Sequence, residues 1–165
     1  MHASARILRD DAWQQAPATS QPRLARQRCP KPFTSAALGM RHFISTMLVV
    51  VGIIHLLPLS GVLGAERLAA LYGISVAEPN LEILMRHRAV LFGLLGLFLI
   101  HAAFRPPLQL LALVAGAVSV ISFLWLAWSV KGYNELVGRV VMADIAAAIC
   151  LVLAGIARAH ARKQG

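Results

Sequence analysis

Apolar and polar positions separate along this chain into long blocks, and the clearest lies between Arg86 and Val130. Arg86-His87-Arg88 opens it, and an apolar run follows from Ala89 to Phe104 with His101 as its one polar side chain. Arg105-Pro106-Pro107 interrupts the pattern, and Leu108–Val130 then continues for 23 residues without an ionisable group. About 20 apolar residues in a helix span the ~30 Å hydrocarbon core of a bilayer. Two such runs joined by a Pro-Pro break predict a transmembrane hairpin, with proline in the first turn of its second helix. So short a link makes the two helices antiparallel neighbours.

Two further blocks complete the pattern. Phe43–Gly64 predicts a first span, with Pro58 in its outer part. Proline lacks a backbone donor and crowds the carbonyl four residues back, here Ile54, so a kink is expected, with Ser60, a neighbouring helix or water satisfying the freed carbonyl. From Ala65 to Gly73 apolar residues recur at helical spacing and glycine supplies a stop, predicting a short interfacial helix. Asn80 reads as the N-cap of the next long helix, which enters the hydrocarbon near Arg88. The expected fold is all-α: a four-helix integral membrane bundle, up-down-up-down, within residues 41–165, with spans at about 43–64, 86–104, 108–130 and 136–157. Gly93, Gly96, Ala112, Gly116, Ser119, Ala143 and Ala147 put small side chains on the spans, which allows close helix approach in lipid.

Composition supports this. The chain is 58% hydrophobic and 14% charged, with a mean hydropathy of +0.68, whereas soluble domains are about a quarter charged. The net charge of +9 changes meaning once located, because residues 1–41 hold seven Arg and Lys against Asp10 and Asp11. A basic segment beside a membrane points to membrane lipid as the partner and away from nucleic acid. Residues 1–40 lack apolar periodicity and read as a disordered basic tail. Pro17, Pro22, Pro30 and Pro32 argue against an amphipathic targeting helix, and no apolar core suited to a secretory signal precedes residue 33. Met40-Arg41-His42-Phe43 also reads as a natural start, which would make the preceding residues a start-site artefact; both readings stay open. Cys29 and Cys150 are too few for a disulfide framework or a metal site. With four spans, eleven Lys and Arg fall on the side of the termini and five on the other, which places both termini in the cytoplasm of a bacterial inner-membrane protein. A start at Met40 turns that count into a five-to-five tie.

Ionisable groups inside hydrocarbon are rare and mark candidate sites. His55 lies nine residues from the outer end of the first span, and Asp144 eight residues from the start of the fourth, on the same side. Their depths therefore differ by about 1.5 Å. If those spans touch, His55 and Asp144 form a proton-linked or quinone-contacting dyad, or Asp144 instead pairs structurally with Arg88 or Arg139. Glu66, Glu82, Arg86, His87, Arg88 and Arg139 gather at the outer span ends, with Lys131, Asn134 and Glu135. They read as a ligand pocket for an anion or headgroup, or as a set of balanced ion pairs. Arg86 and Arg88 diverge by about 200° on a helix, so one faces the bundle mouth and the other water or headgroups.

The chain carries no GxGxxG, Walker loop, HExxH or CxxC, so no cofactor and no metal are expected. Leu71-Tyr72-Gly73 together with Leu84-Met85-Arg86-His87-Arg88-Ala89-Val90-Leu91-Phe92-Gly93 resembles a stretch of small uncharacterised bacterial four-helix membrane proteins, DoxX-like in architecture, over about Met40 to Arg162. That resemblance implies a four-helix bundle and, for some members, a quinone-linked redox subunit, though no redox-active motif here carries the role over. Similar sequences also bear the label phosphopantetheine adenylyltransferase, a soluble enzyme with an HxGH signature. Here the residues after each His read ASA, FIS, LLP, RAV, AAF and ARK, so the label is rejected. The expected function is that of a non-enzymatic accessory subunit or a binder of a lipid or small lipophile, alone, with a membrane-protein partner or as a homo-oligomer. The alternative is a quinone-reactive or proton-handling subunit using His55 and Asp144.

Overall fold

The computed structural model describes residues 35–164. The expected basic tail, and the choice of start that bears on it, fall almost wholly outside them. Within them the long apolar blocks become helices: α1 (Ser35–Leu56), α2 (Ala65–Tyr72), α3 (Pro79–Ala103), α4 (Gln109–Val130) and α5 (Glu135–Gln164). The fold is all-α, a four-helix up-down-up-down bundle. Four helical segments, Leu38–Leu63, Pro79–Ala103, Pro106–Val130 and Glu135–Lys163, are each long and apolar enough to cross a membrane.

Proline sets two of the boundaries. At Pro58 the chain changes helix type: α1 ends at Leu56, and Leu57–Leu63 continues as a 3-10 helix to Gly64. The missing donor and the crowded carbonyl of Ile54 are relieved by tighter winding. Ser60 donates its hydroxyl proton to the Leu57 carbonyl at 3.3 Å, so it serves a residue three positions past Ile54. Pro106–Leu108 forms a single 3-10 turn that reverses the chain between α3 and α4.

Capping sets others. The N-cap of α3 is Glu78 and not Asn80. Its carboxylate accepts the backbone N–H groups of Asn80 at 3.1 Å and Leu81 at 2.7 Å, and Pro79 at the first helical position has no N–H to satisfy. Those hydrogen bonds hold the Glu78 carboxyl below the usual carboxylate range. Gly73 ends α2 in the left-handed conformation at φ +64°, donating to the Ala69 carbonyl at 2.8 Å. Asn134 precedes α5 and accepts the Val137 N–H at 2.9 Å.

Around the bundle the neighbours run α1, α3, α4, α5 and back to α1, leaving α1 and α4 diagonal. The interior combines Leu48, Val51, Leu99 and Val120 with Ala102, Ala112, Ala147 and Ala154. Small residues set the closest approach: a Cβ on Gly96 would lie 2.7 Å from the carbonyl oxygen of Gly52 on α1. Large apolar side chains such as Ile53, Leu94, Leu111, Val118, Ile121 and Val152 point outward and are more than half exposed. So wide an apolar exterior suits lipid as the solvent. A second, smaller cluster of Leu68, Tyr72 and Val76, with Leu81, Met85, Val137 and Val140, seats α2 against one end of the bundle.

Candidate functional site

Under α2 lies a partly enclosed cavity of about 490 Å³, lined from α1, the 3-10 segment, α2, α3 and α5. Its walls are largely apolar, with Ile54, Leu57, Leu71 and Val140 among them, and five ionisable side chains also line it: His55, Tyr72, Arg88, Arg139 and Asp144.

His55 is buried in α1, 2% exposed. Its Nδ1 lies 2.9 Å from the Val51 carbonyl, an acceptor only, so Nδ1 carries the proton. Nε2 then accepts from the Ser119 hydroxyl of diagonal α4 at 3.3 Å. The ring also packs tilted against Phe92, with centroids 5.7 Å apart. A neutral imidazole is thus satisfied at both nitrogens. The first and fourth spans do touch, yet the dyad their equal depth suggested is not formed, because Val51 and Ser119 occupy the ring.

Arg88 and Asp144 face the cavity from α3 and α5. Asp144 is 8% exposed and makes no hydrogen bond among the described residues. The only salt bridge among those residues joins Arg86 to Glu82 at 3.2 Å, one helical turn apart. The Arg88 guanidinium carbon sits 5.1 Å from the ring centre of Phe92, 5.5 Å from Tyr72 and 5.6 Å from Phe123. Three rings from α2, α3 and α4 thus cage one cation, a contact worth ~0.5–2 kcal/mol for a well-placed ring. Burial raises the Tyr72 phenol above its ordinary value, the Arg88 cation lowers it and the Asp144 carboxylate adds to the rise.

Of the residues expected at the outer rim, only Arg88 and Arg139 line this cavity. Arg86 is exposed and held by Glu82, His87 is exposed on the outer side of α3, and Glu66 is exposed on α2. The 200° divergence is resolved: Arg88 turns inward and Arg86 outward. Among the described residues no three His, Cys, Asp or Glu side chains are grouped to hold a metal ion.

Several residues of the site escaped the sequence reading. Phe92 was legible in principle, since it stands one turn from Arg88 on the same face of α3. Tyr72, Ser119 and Phe123 arrive from other elements, and nothing local connects them to Arg88 or His55. Asn134 positions Tyr72, its Nδ2 donating to the Tyr72 carbonyl at 2.7 Å while its Oδ1 caps α5.

What the cavity presents is a planar cation with N–H donors, a carboxylate acceptor and apolar walls. No family model matches the chain, and no curated protein or solved structure is significantly similar to it.

Proposed function

We propose that this chain is an integral membrane protein that binds a small amphiphile in the cavity beneath α2, without chemically transforming it. The observation that carries this reading is that Arg88 and Asp144 face one apolar-walled space and are not bonded to each other. Asp144 is buried and Arg88 half-buried, and a charge taken out of water without a partner costs up to several kcal/mol. A head group carrying an acceptor for the guanidinium and a donor for the carboxylate answers both, while its apolar body lies against Ile54, Leu57, Leu71 and Val140. The proposal includes a bacterial inner-membrane location with both termini cytoplasmic, on the Lys and Arg count.

A second reading, a quinone-reactive or proton-handling subunit using His55 and Asp144, draws support from their sharing the cavity. It is the weaker of the two, because both nitrogens of His55 already have partners.

Mass spectrometry of small molecules retained by the full chain, extracted from membranes in mild detergent, tests the proposal. The wild-type chain is expected to retain one amphiphile in near-stoichiometric amount. Ala70→Trp, at an exposed cavity-lining position on α2, and Arg88→Gln are expected to lose it. Retention of nothing beyond bulk phospholipid by the wild-type chain, or equal retention by both variants, overturns the proposal.

A further inference from the structure

The opposite end of the bundle carries a second feature, unconnected to the cavity. Between α4 and α5 runs a groove of about 410 Å³, walled by Leu110, Val114, Ile121, Leu151 and Val152. Gly155 forms part of its floor, and Arg158 and Arg162, one helical turn apart, line its end. Along α5 the lining extends from Ala148 to Arg162, about 21 Å at 1.5 Å per residue. One leaflet of hydrocarbon is ~15 Å deep, so the groove covers a leaflet and reaches the headgroup layer.

Arg158 is held in place and incompletely satisfied. Its Nη1 donates to Gln109 Oε1 at 3.2 Å and to the Pro106 carbonyl at 3.4 Å. Gln109 is itself buried and anchored by a bond from its Nε2 to the Ala103 carbonyl at 3.2 Å. The Arg158 Nε is buried without a partner among the described residues.

No carboxylate among the described residues lines the groove. Among the described residues this end of the bundle carries Arg41, Arg105, Arg158, Arg162 and Lys163 and no acidic side chain. Glu66, Glu78, Glu82 and Glu135 all stand at the other end, and Asp144 faces the cavity there. A second copy inserted in the same sense would therefore bring these cations against cations, whereas the anionic headgroups of a membrane carry the complementary charge.

We propose that the α4–α5 groove is a binding site for an anionic phospholipid, with an acyl chain along the groove and the phosphate at Arg158 and Arg162. The apolar walls take the chain by shape, and the guanidinium pair selects the charged head.

The test is native mass spectrometry of the full chain in a neutral detergent, titrated with phosphatidylglycerol or with phosphatidylcholine of the same acyl chains. Phosphatidylglycerol is expected to be retained roughly thirtyfold better, the effect of two cations beside an anionic head. Arg162→Gln, an exposed change that leaves the Arg158 bonds intact, is expected to cut that preference about fivefold. Arg158→Gln with Arg162→Gln is expected to abolish it. Gly155→Leu is expected to weaken retention of both lipids, since nothing lies within 4 Å of a Cβ there and the new side chain fills the groove without displacing a neighbour. Arg67→Gln, an exposed change at the other end, is expected to leave the preference unchanged. Equal retention of the two lipids overturns the proposal. So does a preference that survives loss of both arginines, retention unaffected by Gly155→Leu, or a wild-type dimer that Gly155→Leu dissociates.

Discussion

Arg88 on α3 and Asp144 on α5 line one cavity as opposite charges, yet no salt bridge joins them. The arginine is held instead by the rings of Tyr72, Phe92 and Phe123. That separation leaves both groups free to meet the head group of the proposed amphiphile, which a closed ion pair would not.

Asp144→Asn separates those roles. Breaking a buried ion pair costs ~3–5 kcal/mol, whereas neutralising an unpaired buried carboxylate relieves a desolvation penalty. The expected result is an unfolding midpoint in detergent that is unchanged or higher, together with about a tenfold loss of amphiphile retention. A marked fall in the midpoint would instead identify Asp144 as half of a structural pair.

Gly52 and Gly96 set the distance between α1 and α3. Any side chain at Gly96 meets the Gly52 carbonyl, which is backbone and unable to rotate away. Gly96→Ala is expected to destabilise the bundle by ~1–3 kcal/mol, the usual cost of overpacking. Gly155→Ala, where a Cβ meets nothing within 4 Å, should be neutral or slightly stabilising in the same helix-forming context. Denaturation by graded addition of a strong detergent, followed by circular dichroism, compares the two; equal midpoints would contradict the close crossing.

Asn134 links two elements, capping α5 and holding the end of α2. Asn134→Ala is expected to cost ~1–2 kcal/mol through the lost cap. Asn134→Asp keeps the acceptor for Val137 but loses the donor to the Tyr72 carbonyl, so its midpoint should fall between alanine and wild type. Loss of amphiphile retention in the aspartate variant would show that the tie to Tyr72 matters to the site.

Tyr72 gives a spectroscopic readout of the cavity charges. Burial, reinforced by Asp144 and opposed by Arg88, raises its phenol above the ordinary value near 10. The chain has two tyrosines, so in a Tyr133→Phe background the tyrosinate absorbance reports Tyr72 alone. Its alkaline midpoint should exceed that of the unfolded chain, fall with Asp144→Asn and rise further with Arg88→Gln. Because the folded state keeps this proton longer than the unfolded chain does, stability should decline as pH climbs from the unfolded value to the folded one.

Much of the fold was legible because hydropathy is local. Residue-by-residue transfer into lipid sets the spans, Pro106-Pro107 sets the reversal, and Gly73 sets the end of α2, each from residues adjacent in the chain. Where two local signals competed, only the folded backbone chose between them: Glu78, with Pro79 after it, took the cap that Asn80 also offered. The site depends on a different quantity, the rotation of each helix about its axis. One residue turns a helix by about 100°, so depth along the membrane put His55 level with Asp144 without determining whether they bond. The close crossing at Gly52 and Gly96 and the ring order of the helices determine it. They give His55 to Ser119, turn Arg88 inward among rings from three helices, and leave Asp144 facing the cavity. The length and apolarity that let four helices cross a membrane are thus written in the sequence, whereas the partners of the ionisable groups inside the bundle are decided by packing, since only packing brings together groups far apart in the chain.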